Sequence, residues 1–376
     1  MSKYNDELFY QIALSLIPKV GPLLAKRLIS YTGSPRALFE QPKSQLLKIP
    51  HIGKNLVSNI RDKQIFEAAA REIAFIEKYN IQASFYLDNN YPARLKNCED
   101  APLILYVKGD VQFNDKKALS IVGTRKATPR GIETCEKLIA DLASTSKDLV
   151  IVSGLAYGID VCAHKTALAN GLKTVCVLGH GLDIIYPSLH RPVAEKAIKQ
   201  GALTTEFPSH TKFIRSNFVS RNRIIAGLSD ATVVVESGEK GGALITADLA
   251  NSYNRDVFAF PGRIMDTRSK GCNQLIKLNK ASLIESAKDL EYVMGWELTR
   301  CKQKTVQREL FNKLGANECK IIELIKENDE LSINEIVQHL DLPISQVSPM
   351  LLELEFKGII RSLPGNRYQA LVSEIQ

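Results

Sequence analysis

From Ile81 onward, short apolar runs alternate with stretches of helical periodicity, and this alternation constrains the fold more than any other feature of the sequence. Helical patterns such as Ile132–Ala143 and Val161–Asn170 separate most of the apolar runs. Strands that alternate with helices form a mostly parallel sheet covered by helices on both faces, so the sequence predicts an α/β domain over residues 73–292. Its predicted strands are Leu103–Val107, Leu119–Val122, Leu149–Val152, Thr174–Leu178, Thr232–Glu236 and Val257–Phe260.

The first 72 residues have a different pattern, of short helices with an internal repeat. The segment IPKVGPLLAKRLI begins at Ile17 and IPHIGKNLVSNI begins at Ile49, an offset of 49 − 17 = 32 residues. Each segment places a glycine before a helical pattern, as in the helix-hairpin-helix, where backbone N–H groups approach DNA phosphates. Residues 1–72 are therefore predicted to form a SAM-like or helix-hairpin-helix-like helical domain. Hairpins that serve only internal packing are an equal alternative.

The C-terminal region is predicted to be a basic linker over residues 293–315 and a winged helix over residues 316–376. Three helical patterns precede IIRSLPGNRYQALV, which contains two short strands around a Pro-Gly turn. The third helix has the position of a recognition helix, yet it carries Glu353 and Glu355 and only Lys357 as a cation. Acids that face phosphates are unfavourable, so contact with a protein is at least as well supported as reading of the major groove.

The net charge of the chain indicates which kinds of partner it can bind. Its 376 residues include 49 Lys and Arg against 41 Asp and Glu, a formal net charge of +8. This excess fits a polyanionic partner about as well as an ordinary basic soluble protein. No apolar stretch approaches the roughly 18 residues of a membrane span. The seven cysteines are scattered without a CxxC pair, so we expect reduced thiols, a cytoplasmic location and no membrane partner.

The loops after the predicted strands are where a ligand is expected, because ligands of parallel α/β sheets lie at the carboxyl ends of the strands. The G-x-G-x-x-G fingerprint of dinucleotide sites is missing, and one strand ends in Ser153-Gly154 rather than in an acid. The P-loop pattern is missing as well, so we expect no cofactor. Instead, ALSIVGTRKATPRG places Arg125 and Lys126 directly after a strand. Two cations beside backbone N–H groups suit several consecutive phosphates better than one pyrophosphate.

An ordered series of motifs extends from about Tyr91 to Ile284. It consists of YPARLK, APLILYVKGD, IVGTR, SGLAYGID..AH, GLD..YP, F..RNRIIAGLS, LITA..A and PG........GCNQLI. This series resembles the DNA-processing protein A (DprA/Smf) family, whose three-part form the flanking helical domain and winged helix also resemble. The resemblance implies a Rossmann-like domain that binds single-stranded DNA in natural transformation, loads the RecA recombinase and protects the strand from nucleases. It also implies a homodimer without catalytic activity, with single-strand-binding protein as a further candidate partner.

The candidate DNA site combines the residue pattern with this resemblance. Arg125 can make a bidentate phosphate contact, whereas Lys126 acts as a point charge. Lys173 resembles a further cation of the family's pocket, and we expect it beside these two at the carboxyl edge of the sheet. The glycines of SGLAYG permit close approach of a ligand. The predicted DNA contacts are Gly123, Thr124, Arg125, Lys126, Ser153, Gly154, Tyr157, Lys173, Arg221, Asn222, Arg223 and Lys240.

Several of these residues have a second interpretation. Tyr157 stands where the family often has arginine, so it is either a stacking surface for a base or a packed tyrosine. Arg223 is either a groove cation or part of an internal salt bridge to Asp230 or Glu236. The resemblance also places the subunit contact of a homodimer at apolar residues near the end of the α/β domain, for which core packing is the alternative. These interface residues are Leu275, Ile276 and Leu283.

Two enzymatic alternatives have weaker support. KGGALITAD resembles the PGGxGTxxE site of enzymes that hydrolyse nucleotide N-glycosidic bonds, but Leu244 and Ile245 replace Gly and Thr, and Asp248 replaces Glu. A metal hydrolase would draw on the acids and histidines of two loops, which lack paired-His spacing. We predict no metal site, with Asp160 tying down a loop and His164 packing beneath it. The loop residues in question are Asp160, His164, His180, Asp183 and His190.

Overall fold

The structure is a computed structural model that describes residues 6–50, 52–114, 116–296, 315–328, 330–340, 342–356, 359–363 and 365–370. The chain divides into two compact units, residues 1–301 and residues 302–376. Most of the predicted linker, residues 297–314, lies outside the described residues. Within the described ranges, no helix has both the length and the apolar character needed to cross a membrane.

The first unit begins with short helices that pack around an aliphatic and aromatic core. They are α1 (Asp6–Ser15), α2 (Pro22–Thr32), α3 (Pro35–Glu40), α4 (Lys43–Leu46), α5 (Lys54–Ile60) and α6 (Lys63–Tyr79). Gly21 and Gly53 are the N-caps of α2 and α5, so the sequence repeat marks two helix starts. Helix α6 runs through the predicted boundary at residue 72 and ends where Asn80 adopts a left-handed conformation. The predicted boundary at residue 72 therefore falls inside a continuous helix, and the division of residues 1–292 into two domains stays a prediction.

The main body of the first unit is a nine-stranded sheet. Its strands are β1 (Gln82–Phe85), β2 (Ile104–Gly109), β3 (Lys117–Val122), β4 (Leu149–Ser153), β5 (Lys173–Val177), β6 (Gly201–Thr205), β7 (Ala231–Val234), β8 (Asp256–Ala259) and β9 (Ser282–Leu283). They lie in the order β1-β2-β6-β5-β4-β3-β7-β8-β9. Neighbours from β6 to β9 are parallel, whereas β2 is antiparallel to β1 and to β6. The predicted mostly parallel sheet is confirmed.

The sequence pattern missed β1, β6 and β9. The residues of β6, GALTT, are all buried but include no run of large apolar side chains. Gly201 permits the close approach of β5, because a Cβ at this position would lie 2.1 Å from the carbonyl oxygen of Thr174. Since β6 is parallel to β5, its carboxyl end adds a further loop to the edge of the sheet where a ligand is expected.

Helices cover both faces of the sheet. They are α7 (Ala93–Lys96), α8 (Pro129–Thr145), α9 (Ile159–Ala169), α10 (Arg191–Gln200), α11 (Arg215–Ser220), α12 (Asn222–Gly227), α13 (Gly242–Ser252), α14 (Lys270–Lys277) and α15 (Ala287–Val293), with a 3₁₀ turn at Ser188–His190. Helices α8 and α9 pack on one face through residues such as Leu138 and Ala163. Helices α12 and α13 pack on the other through Ile225 and Ala247. The connections after β3 and β7 therefore leave toward opposite faces, which opens a crevice between the carboxyl ends of these adjacent strands.

The second unit is a winged helix, as predicted. Its elements are α16 (Ala316–Glu327), β10 (Glu330–Ser332), α17 (Ile333–Leu340), α18 (Ile344–Phe356), β11 (Ile360–Leu363) and β12 (Arg367–Ala370), with strand order β10-β12-β11. Helix α18 has the position of a recognition helix and exposes Ile344, Leu352 and Phe356. Its Glu355 carboxylate accepts a hydrogen bond from the Ser362 hydroxyl at 2.7 Å. This apolar and acidic surface accords with the expectation of a protein contact, which stays a prediction.

Candidate nucleic-acid interface

The loop after β3 presents two cations on a fixed backbone. The Thr124 N–H donates to the Glu236 carbonyl at 2.7 Å, and the Lys126 N–H donates to the Thr124 hydroxyl at 3.2 Å. The side chains of Arg125 and Lys126 are exposed. Among the residues that the structure describes, neither forms an ion pair with an acid. The loop therefore presents two exposed positive charges at the crevice.

The loop after β4 uses its glycines for protein packing. Gly158 has a φ of 76°, and a Cβ there would lie 2.1 Å from the Thr124 carbonyl oxygen, so the β3 and β4 loops touch at this residue. At Gly154 a Cβ would lie 2.5 Å from the guanidinium of Arg221. The expectation that these glycines admit a ligand is corrected at both positions, because protein atoms fill the space.

Arg221 is a buried cation beneath the crevice. Only 3% of the residue is exposed, and its guanidinium donates to the Gly154 carbonyl at 2.7 Å and to the Val177 carbonyl. Burial lowers the pKa of Arg221 to about 10, so the side chain stays charged at neutral pH. The buried Asp160 carboxylate accepts from the Gly154 N–H at 3.2 Å; burial raises its pKa, while the charge of Arg221 opposes that shift. Arg221 and Asp160 are thus mutually compensating charges in the protein interior.

Above this buried pair lies a cleft of about 630 Å³. Its lining includes Gly123, Thr124, Arg125, Arg215, Phe218, Arg221, Asn222, Lys240 and Gly242, together with the acids Asp160, Glu239 and Asp248. Of these acids, Asp160 is compensated by Arg221, and Asp248 is paired with Lys280. Helix α13 begins at this cleft and has no acid in its first turn, so the positive end of its dipole faces the same space. The cations and the helix start together make the cleft attractive to phosphates.

The structure brings part of the predicted site together. Tyr157 is exposed at this edge, with its ring edge-on to His190 at 4.9 Å, so it has the exposure that a stacking surface needs. Lys240 is exposed in the loop after β7, and the Asn222 amide donates to the Gly242 carbonyl at 3.4 Å. The residues that share the cleft or its rim are Gly123, Thr124, Arg125, Lys126, Tyr157, Arg221, Asn222 and Lys240.

Other predicted contacts are corrected by their surroundings. Ser153 is fully buried and its hydroxyl donates to the Ile121 carbonyl at 2.6 Å, and Gly154 is buried beside it. Arg223 forms an internal ion pair, but its partner is Glu206 and not Asp230 or Glu236. Its guanidinium also donates to a backbone carbonyl, at Asp100. These residues contact other parts of the protein, so they are unsuited to direct contact with DNA.

Lys173 lies at the wrong edge of the sheet. It is the first residue of β5 and pairs in register with Val150, near the start of β4. The carboxyl edge is at the opposite end of these strands, and the Lys173 ammonium donates to the Asp110 carbonyl at 3.1 Å. The expectation that Lys173 stands beside Arg125 and Lys126 is therefore wrong.

An aromatic cluster at the same edge was missed. Tyr186 follows β5, and Phe213 and Phe218 follow β6; ring centroids are 4.6 Å apart for Tyr186 and Phe213 and 5.0 Å apart for the two phenylalanines. Tyr186 and Phe213 are exposed, and Lys212 and Arg215 flank Phe213. The sequence signal for this cluster is HTKFIRSNF, in which cations alternate with aromatic residues. The segment follows β6, so its position at the carboxyl edge could be assigned only once β6 was known. Exposed rings among cations are what a single strand uses for stacking.

The acids and histidines of the two loops have internal partners. The Leu155 N–H donates to Nε2 of His164 at 3.3 Å, and the Asp160 carboxylate holds the same turn through Gly154, so both structural roles predicted for these residues are confirmed. Nδ1 of His190 lies 2.8 Å from the Leu155 carbonyl, and Nδ1 of His180 lies 2.8 Å from the Gly181 carbonyl. Across the described ranges, no three metal-binding side chains are grouped as a metal site requires.

His164 makes the stability of the fold sensitive to acid. Burial, together with the positive charge of Arg221, lowers the pKa of His164 to about 3. In the unfolded chain the residue titrates near pH 6.5, so between pH 6.5 and 3 the unfolded state binds more protons and stability falls as the pH falls. We expect the free energy of unfolding to drop by about 1.4 kcal/mol more between pH 7.5 and 5.5 in the native chain than in His164→Gln. Urea titrations at both pH values measure this, and equal pH dependence would contradict it.

The residues predicted for a subunit contact do not share one environment. Leu275 is buried in the core of the α/β body, so it is corrected to a core residue. Ile276 is partly buried against the same core. Leu283 is 49% exposed on β9, the last strand of the sheet order. Of these three residues, Ile276 and Leu283 have surface available for another subunit.

Asp248, the candidate acid of the glycosidase alternative, lies on α13. Its carboxylate is 2.8 Å from the ammonium of Lys280, and both side chains are about half exposed. The helix start that precedes it carries Leu244 and Ile245 where the enzymes have the Gly-Thr pair. The acid is thus engaged in an ion pair and lacks the neighbouring phosphate-holding residues.

The chain matches two family profiles. One, described as DNA recombination-mediator protein A, matches residues 82–294, and the other, described as DprA winged helix domain, matches residues 311–366. The chain is 31% identical to Protein Smf of Synechocystis sp., over 97% of this chain and 99% of that protein. It is 35% identical to the DNA processing protein DprA of Streptococcus pneumoniae, over 65% of this chain and 91% of that protein.

Solved structures agree with the sequence relatives. The X-ray structure of DNA processing protein A from S. pneumoniae superposes with a TM-score of 0.61 at 29% identity, covering 77% of this chain and 98% of that chain. A structure of DNA processing protein A from Helicobacter pylori, reported for its single-stranded DNA binding mode, gives a TM-score of 0.51 at 30% identity. It covers 57% of this chain and 95% of that chain. With its α/β body and its winged helix both matched, this chain belongs to the DprA/Smf family of DNA-processing proteins.

Proposed function

We propose that the carboxyl edge of the sheet binds single-stranded DNA without catalysing a reaction on it. The observation that carries this proposal is the exposed pair of cations, Arg125 and Lys126, at the rim of a cleft that Lys240 and the start of α13 also face. Phosphates carry no base information, so these contacts are expected to bind strands of different sequence alike. The H. pylori relative, whose structure was reported for its single-stranded DNA binding mode, supports the choice of ligand.

The strand path follows from the order of the loops. Along the carboxyl edge the loops belong to β6, β5, β4, β3, β7 and β8 in turn. The aromatic cluster lies at the β6–β5 end, and the cations of the cleft lie at β3 and β7. Bases therefore stack on Tyr186 and Phe213, while phosphates farther along the strand meet Arg125, Lys126 and Lys240. A rigid duplex cannot expose its bases to such a surface.

The biological role rests on family membership. Relatives of this chain carry the names DNA processing protein DprA and DNA recombination-mediator protein A. We propose that the protein receives single strands during DNA uptake in natural transformation, protects them from nucleases and hands them to the RecA recombinase, with single-strand-binding protein as a further partner. A site that holds phosphates and bases but offers Asp248 only in an ion pair suits a carrier of strands rather than an enzyme.

The test compares oligo-dT with a duplex of equal length as salt is varied. Arg125, Lys126, Lys212, Arg215 and Lys240 allow about three to five phosphate contacts, so the slope of log affinity against log salt should be about −2 to −3.5. The single strand should bind more tightly at every salt concentration. Equal or tighter binding of the duplex would overturn the proposal, because the aromatic cluster would then have no part in recognition.

We further propose a homodimer through the edge strand β9. Leu283 projects from this strand and Ile276 lies partly buried nearby, and an uncovered sheet edge with an apolar residue is suited to self-pairing. Leu283→Arg should be monomeric by light scattering and remain folded, because the side chain is exposed. Tyr292→Arg, at an exposed position of α15, is the control and should stay dimeric. A folded Leu283→Arg dimer would show that the contact lies elsewhere.

A further inference from the structure

We propose that the loop after β8, residues Pro261–Ser269, inserts Ile264 and Met265 between bases of the bound single strand. We call this segment the β8 loop. The inference rests on the proposed function and extends the strand path beyond the cation cleft to a second site of base contact. It concerns residues that none of the sequence motifs marked as DNA-binding.

The first observation is exposure. Ile264 is 87% exposed and Met265 is 89% exposed, and they are adjacent at the tip of the loop. Apolar surface in water costs roughly 25 cal/mol per Å², so two neighbouring aliphatic side chains held in solvent are unfavourable unless a ligand covers them.

The second observation is that the loop is held firmly. The Gly262 N–H donates to the Asn273 side-chain oxygen at 3.0 Å, and the Asn273 amide donates back to the Gly262 carbonyl at 3.0 Å. At the other end, the Asp266 carboxylate accepts from the Arg268 N–H at 3.0 Å and from the Ser269 hydroxyl at 2.8 Å. Hydrogen bonds within the loop and to Asn273 thus fix both of its ends, and the apolar pair lies exposed at its tip.

The third observation is position. The β8 loop leaves the same sheet edge as the β3 loop, because β3, β7 and β8 are parallel neighbours. The Arg268 guanidinium donates to the Lys126 carbonyl at 2.5 Å, which ties the two loops together. Two strand spacings separate β3 from β8, roughly 10 Å. A strand held at Lys126 therefore reaches the apolar tip within a few nucleotides.

Charge identifies the occupant. Arg263, Arg268 and Lys270 are exposed around the apolar pair, and the acid within the loop, Asp266, is engaged in the loop's own hydrogen bonds. Cations on both sides of an aliphatic wedge match phosphates on both sides of a base step. Ile and Met are among the side chains that proteins insert between bases to unstack them. A single strand lacks the paired partner that resists such insertion.

The experiment uses the full-length protein and oligonucleotides that carry 2-aminopurine, a base whose fluorescence rises when it is unstacked, at successive positions. The native chain should raise the fluorescence at one position in the bound strand. Ile264→Ser with Met265→Ser should lose this signal and bind about tenfold more weakly, since contact with one base contributes roughly 1–3 kcal/mol. The salt slope should stay unchanged, because no phosphate contact is removed.

Tyr292→Ser is the matched control, because Tyr292 is 88% exposed. Its neighbour Glu291 accepts from the Thr145 hydroxyl at the end of α8, which places the control at the opposite edge of the sheet. The control should keep both signal and affinity. A double variant with unchanged signal and affinity would overturn the inference while the binding of DNA stands. A double variant that becomes monomeric but keeps the signal would also overturn it, by assigning the loop to a second copy. Failure of the native chain to bind the strand would refute the proposed function itself.

Discussion

Replacing Arg125 and Lys126 with alanine is expected to weaken the binding of single-stranded DNA about 25-fold at about 0.1 M salt. Each phosphate contact on a single strand contributes about 0.7 to the salt slope, so the double variant should flatten the slope by about 1.4. At about 1 M salt the counterion release no longer favours binding, so both proteins should bind with similar affinity there. Over the tenfold decrease in salt from about 1 M to about 0.1 M, a slope difference of about 1.4 becomes a difference in affinity of about ten to the power 1.4, or about 25-fold. The loss should be alike for oligo-dT and mixed sequences, because phosphates carry no base information.

The matched control removes two cations from the opposite edge. Lys173 begins β5, and Lys199 lies in the last turn of α10, directly before β6, so both lie at the amino edge of the sheet. The variant Lys173→Ala with Lys199→Ala changes the net charge by the same amount as the cleft variant. Fluorescence anisotropy across a salt series should show an unaltered slope for the control. A similar flattening in both variants would mean that overall charge, and not the β3 loop, governs binding.

Arg221→Met is expected to lower the free energy of unfolding by about 3–5 kcal/mol, the usual effect of removing one partner from a buried charge pair. Arg221 is 3% exposed, and its guanidinium joins the carbonyls of Gly154 and Val177 at the ends of neighbouring strands. Without it, two carbonyls lose a donor and the buried Asp160 carboxylate loses its compensating charge. Urea unfolding at neutral pH measures the difference.

A second substitution separates the two losses. Adding Asp160→Asn to Arg221→Met removes the uncompensated charge, so the double variant should recover part of the lost stability. Arg125→Met, a change of the same type at an exposed position, should alter stability by less than about 0.5 kcal/mol. If Arg221→Met were fully stable and yet failed to bind DNA, Arg221 would be a direct ligand of the strand, as the sequence alone had indicated, and its structural role would be refuted.

Much of the fold was accessible to sequence reasoning. The strand positions from β2 to β5 and at β7 and β8 were predicted within two residues at each end, because buried strands are continuous apolar runs. Strand β6 was not, since its small and hydroxyl-bearing residues owe their place to the neighbours on either side. With β6 missing, the loop that carries Phe213 had no position in the sheet, and the aromatic part of the interface stayed hidden.

The position of Lys173, in contrast, can be predicted from the sequence alone. A residue that precedes a strand of a parallel sheet lies at the amino edge, whereas Gly123–Lys126 follow their strand and lie at the carboxyl edge. In a parallel sheet the order of loop and strand along the chain decides at which edge a loop residue lies.

The sequence by itself determined that Arg125 and Lys126 stand at the carboxyl edge of a parallel sheet, because the position of a loop after a strand follows from chain order alone. Only the tertiary structure decided which of the other arginines reach solvent. Arg221 and Arg223 stand two residues apart at the junction of α11 and α12, and both turn inward, one to backbone carbonyls and the other to Glu206. A charged residue in a sequence carries no mark of its partner, since the compensating carbonyl or carboxylate comes from a distant strand or loop that only folding brings near.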